Sequence, residues 1–116
     1  MNKLGSNSAY NDWNHLTIQV GVNAWVGKFA DGKVGAVQTL PWDYRPWGCG
    51  SGMRGSCNSG WIQFEICEDD LSNREYFDQV YQISCELTAY LCKKFNLNPK
   101  GIIQFNGANV PVILCH

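Results

Sequence analysis

Positive charge is scarce in this chain. Nine Lys and Arg stand against ten Asp and Glu, and no basic run exceeds Lys93-Lys94. A surface that neutralises a phosphate backbone needs more, so nucleic acid is not an expected partner. Long apolar runs are also lacking: none approaches the ~20 residues that cross a bilayer, so no membrane helix is expected. The polar start, MNKLGSNSAYND, contains no apolar signal core. The expectation is therefore a chain without a secretion signal, cytoplasmic as synthesised. Histidine occurs only at His15 and His116, and none of the six cysteines shows the two-residue spacing of a zinc knuckle.

What is present points to one packed domain. Apolar residues make up 45% of 116 residues, enough for a single core over 1–116. Residues 1–15, rich in Asn, Ser and Gly, read as a loose lead-in. From Thr17 to Lys28 the apolar residues Ile18, Val20, Val22, Ala24 and Val26 alternate, the period of a half-buried strand. Asp31-Gly32 then predicts a tight hairpin turn, with Val34–Leu40 as the returning strand. Pro41 and Pro46 end it, because proline cannot donate to a ladder. Gly48–Gly60 reads as an exposed loop of the kind that rims binding sites. Cys49 and Cys57 flank its Gly/Ser stretch and could pair if the compartment is oxidising.

Trp61–Cys67 reads as a central buried strand. Glu65 stands out there, because a charge on such a strand needs a polar cleft or a partner, such as Arg45 or a backbone amide. Ser72 and Glu75 match a capping box opening a helix over about 73–95. Its apolar face is expected to carry Phe77, Val80, Tyr81, Ser84, Leu87, Thr88, Leu91 and Phe95, with Cys85 and Cys92 as small buried hydrophobes. Asn106-Gly107 marks a second hairpin, and Val112–Cys115 reads as a short buried strand leading to His116. The predicted class is α/β, a mixed β-sheet with one long helix packed on it. Trp42, Tyr44, Arg45 and Trp47, with Trp61, suit either packing of a turn onto the sheet or contact with a sugar ring or a protein.

The stretches QTLPWDYRPWGCG, GWIQFEICEDDL, YFDQVYQISCELTAYLCKKF and VPVILCH resemble the zinc-dependent N-acetylmuramoyl-L-alanine amidases, which share a fold with peptidoglycan recognition proteins. The closest flavour is that of clostridial and phage endolysins. The resemblance implies a cell-wall hydrolase whose partner is a peptidoglycan fragment and whose cofactor is zinc, held by two His and a Cys or Asp. Cys115-His116 matches a ligand motif, which makes His116 the candidate metal ligand. Glu65 falls where several members carry a catalytic carboxylate, a general base for zinc-bound water. Some members have His where this chain has Asn23, Gly48 and Trp61. The expected core lacks the family's first strand and two of three zinc ligands. The expectations are a domain cut at both ends that is inactive by itself or, alternatively, a zinc-less module that binds and inhibits a host protein.

Overall fold

Asp31-Gly32 brings two short strands together. In the computed structural model, which describes residues 17, 19–53 and 55–115, β1 (Ala24–Lys28) pairs antiparallel with β2 (Val34–Gln38), from Ala24 opposite Gln38 to Lys28 opposite Val34. Gly32 sits at the turn with φ +85°, a conformation that β-branched residues rarely adopt. The Asp31 carboxylate accepts from the Lys33 N–H and steadies the bend.

The strand begins at Ala24, not at Thr17, because the chain changes partners before it. Gly21 exchanges both backbone hydrogen bonds with Trp47, at 3.1 and 2.7 Å. The Asn23 N–H donates to Gln63 O at 2.8 Å, while Asn23 O accepts from Thr39.

A third strand, β3 (Phe64–Ile66), lies parallel to β1, with Trp25 beside Glu65. The sheet order is β2-β1-β3. The expected central strand is therefore at the edge, and β1 is the buried one: Ala24, Trp25 and Val26 are all at most 5% exposed. Because β1 contains AWV rather than an apolar/polar alternation, both of its faces are covered.

One face receives α1 (Arg74–Lys94). Val26 packs there with Tyr76 and Val80, flanked by Val34, Phe64, Ile83 and Leu87. Each such aliphatic side chain contributes roughly 1.5–3 kcal/mol when fully buried. The helix is rotated from the expected face. Phe77, Tyr81 and Phe95 are exposed, and Tyr76 turns inward, its hydroxyl donating to the carbonyl of Cys67 just past β3. Phe77 and Tyr81 instead stack outward at 5.9 Å, with the Arg74 guanidinium over the Phe77 ring. Cys92 is buried as expected, but Cys85 is exposed.

The N-cap is Asn73, whose side-chain oxygen accepts from the Tyr76 N–H at 3.1 Å. Ser72 is not the cap, because its hydroxyl and N–H are both taken by the Asp70 carboxylate. At the other end Asn96, with φ +52°, closes a Schellman turn: Leu97 N donates to Cys92 O and Asn96 N to Lys93 O.

The second hairpin forms as read. β4 (Ile102–Phe105) pairs with β5 (Ala108–Pro111) across Asn106-Gly107. It makes its own two-stranded sheet. Residues 112–115 form no strand, and Ile113 and Leu114 are 41% and 45% exposed. Val112 N bonds back to Gly101 O instead, so the chain leaves the ladder after Pro111. The fold is α/β, a mixed sheet with one long helix on it. No helix among the described residues is long and apolar enough to cross a membrane.

Candidate functional site

Side chains alternate along a strand, so Gln63, Glu65 and Cys67 project to one side of β3 while Phe64 faces the helix. Glu65 thus lies on the sheet face opposite α1, half-buried, in register with Trp25. Cys67, on the same face, packs with Val22 and Trp25. Burial first, then the nearby Glu65 charge, pushes its thiol up to about 11.

The loop after β2 is tied to this face by three buried or half-buried amides. Asn23, 0% exposed, donates to Pro41 O at 3.0 Å and Tyr44 O at 3.1 Å, and accepts from the Gln63 N–H at 2.9 Å. The Gln63 side chain accepts from Gly48 N at 3.1 Å and donates to Cys57 O at 2.8 Å. Asn58, 5% exposed, accepts from the Gly48 and Cys49 N–H groups, donates to Cys49 O, and receives a bond from Gln63. No buried side-chain polar atom among the described residues lacks a partner. A satisfied network of this kind rigidifies what it holds. Gly48 is required at its centre, since a Cβ there would stand 2.5 Å from Val22 Cγ1 and 2.7 Å from Gln63 Oε1.

What the network holds is the aromatic turn. Trp42 is half-buried, whereas Tyr44 and Trp47 are 61% and 56% exposed. Arg45 donates to Asn58 O at 3.1 Å, and its guanidinium lies over the Trp47 ring at 5.2 Å. Arg45 is thus held by Trp47 and the loop. Trp61 is placed elsewhere, meeting Phe105 of the second hairpin edge-on at 5.3 Å. The structure therefore gathers Trp42, Tyr44, Arg45 and Trp47 into one rim, anchored through Gln63 two residues from Glu65, and assigns Trp61 to the hairpin contact.

The sequence points to neither Asn58 nor Gln63, and to Asn23 only as a position where some relatives carry His. The legible signal was weak: an Asn inside an apolar alternation, and a Gln in an apolar strand two residues before the Glu.

His15 and His116 lie outside the described residues. Among the described residues no three His, Cys, Asp or Glu side chains group to hold a metal.

A second feature is a cavity of about 190 Å³ between the end of β3 and the first turns of α1, lined by Ile66, Leu71, Tyr76 and Phe77 with Glu68 and Asp70. Lys28 pairs with Asp69 beside it, and that hydrogen bond is the main reason the Asp69 carboxyl lies below its ordinary range.

A family model described as N-acetylmuramoyl-L-alanine amidase matches residues 2–116. No curated protein and no solved structure matches the chain.

Proposed function

Because the chain belongs to the N-acetylmuramoyl-L-alanine amidase family, we propose that its ligand is peptidoglycan, taken as a muropeptide against the sheet face that carries Glu65. The observation that supports this most is the rim of Tyr44, Arg45 and Trp47 with half-buried Trp42, which is open to solvent yet held by buried and half-buried amides on that same face. Aromatic faces suit the apolar side of a sugar ring, and a fixed guanidinium suits a carboxylate on the stem peptide. Glu65 is the acceptor for the N–H of the lactyl–L-alanine amide, the bond that gives the family its name.

In this reading the 116 residues alone bind the muropeptide without cleaving it. Activation of water by zinc requires ligands in fixed geometry, and the family resemblance supplies only His116 as a ligand. Glu65 then orients the amide, and no proton transfer to water follows.

The test combines cosedimentation with purified sacculi and a mass-spectrometric assay for released stem peptide, with and without added zinc. Binding without release is expected, weakened by Trp47→Ala. Release of stem peptide that Glu65→Gln abolishes would replace this reading with a catalytic one, with Glu65 as base. No sedimentation with sacculi would remove the peptidoglycan assignment for this chain.

A further inference from the structure

We infer that Cys49 and Cys57 form an oxidisable dithiol, a modification site that staples the glycine-rich loop behind the aromatic rim. Both are free and half-buried, and the Asn58 and Gln63 side chains hold them on facing arms of one loop. Sequence nearness alone does not create this proximity, since the intervening segment contains Gly50, Gly52 and Gly55 and is free to adopt many shapes. The amide network creates it. Asn58 grips Cys49 from both sides, accepting from its N–H at 3.1 Å and donating to its carbonyl at 2.9 Å. Gln63 Nε2 grips the carbonyl of Cys57 at 2.8 Å and reaches Cys49 Sγ at 3.5 Å. Ser56 Oγ lies 3.4 Å from the same sulfur. At the tip Gly52 and Gly55 exchange backbone bonds, bringing the two arms of the loop together.

The reaction needs a low-molecular-weight disulfide as oxidant. One cysteine thiolate attacks a sulfur of oxidised glutathione, releasing one glutathione and leaving a mixed disulfide. The second thiolate then displaces the other glutathione and closes the S–S bond. The two protons lost from the cysteines end on the two glutathione thiols, and two electrons pass from the protein to the oxidant. The Asn58 and Gln63 bonds to the backbone of these residues do not involve the sulfurs, so that network stays intact while the tip loses freedom.

The remaining cysteines serve as internal standards. Cys85 and Cys115 are exposed and free among the described residues, so they stop at mixed disulfides. The experiment exposes the whole chain to oxidised glutathione, quenches with N-ethylmaleimide and maps tryptic peptides. The peptide ending at Arg54 is expected to remain joined to the one beginning at Gly55 until reductant is added. Once either residue carries glutathione, closure of this link should be at least about tenfold faster than addition of a second glutathione, because the partner thiol is already nearby. Cys57→Ser should remove the link and leave Cys49 carrying glutathione, which also excludes Cys67 as the partner within that peptide. In urea the preference should disappear. Mixed disulfides at both Cys49 and Cys57, a link to Cys67, or the same preference in urea would overturn the inference. The readout is thiol chemistry alone, so its outcome is independent of whether the chain binds peptidoglycan.

Discussion

Replacing Asn23 by Ala tests the amide clamp at its most buried member. The substitution removes three hydrogen bonds at once, to Pro41 O, Tyr44 O and Gln63 N. The losses are unequal. Pro41 and Tyr44 lie on an exposed turn, so water can take over both carbonyls, leaving only the modest net value of each bond. Gln63 N sits between β1 and the loop, where replacing its partner with a methyl leaves a donor without one. Net losses of about 0.5–1.5 kcal/mol for each of the two rehydrated bonds and about 1–3 kcal/mol for an unsatisfied donor give roughly 2–6 kcal/mol. With a urea m-value of about 1.5 kcal/mol/M, a loss of 3 kcal/mol moves the midpoint by about 2 M. Equilibrium urea melts followed by Trp fluorescence measure it. Asn23→Asp is the informative companion, since it keeps the acceptor for Gln63 but aims a carboxylate at two carbonyls. It should destabilise at least as much as Ala. A loss under about 0.5 kcal/mol for Asn23→Ala would show that the turn is not held through this residue, and the rim would lose its structural basis.

Gly32→Val should cost about 1–2 kcal/mol in the same melts, all of it backbone strain at φ +85°, because a Cβ there meets nothing within 4 Å. A neutral result would contradict the turn conformation. Asn73→Ala should cost about 1 kcal/mol and Ser72→Ala clearly less, since Asn73 holds the helix cap and the Ser72 hydroxyl bonds to Asp70 rather than to the helix; the reverse order in thermal melts would overturn the cap assignment. For pH, the Cys67 thiol is raised from 9.0 to about 11 in the fold. Its contribution is therefore fully present below pH 9 and is lost as pH rises toward 11, because the unfolded chain releases that proton first. Cys67→Ala should flatten the stability profile over this window, and an unchanged slope would refute the linkage.

The parts legible in the sequence are those set by local rules. Asp31-Gly32 and Asn106-Gly107 announce both hairpins because a positive-φ turn needs those residues, and the 73–95 periodicity announces the helix. Glu65 was visible because a charge inside WIQFEIC is costly without a role. What stayed hidden depends on distant partners. Gln63 and Asn23 are 40 residues apart, and nothing local reveals that two amides meet. The inward rotation of Tyr76 follows from one carbonyl at Cys67, and the edge position of β3 from a parallel pairing with β1 that no turn chemistry encodes. The aromatic turn was found from its composition, yet Trp61 was grouped with it because sequence nearness gives no sign of the Phe105 contact.

The central claim, that this chain takes a muropeptide on the sheet face bearing Glu65, is most directly tested by titrating ¹⁵N-labelled protein with a soluble N-acetylmuramoyl-L-alanyl peptide and following backbone amide shifts. The account predicts saturable shifts concentrated at residues 42–48 and 63–67, with the outward helix surface at Phe77 and Tyr81 unmoved. Shifts centred on that helix surface, or none at millimolar ligand, would contradict it.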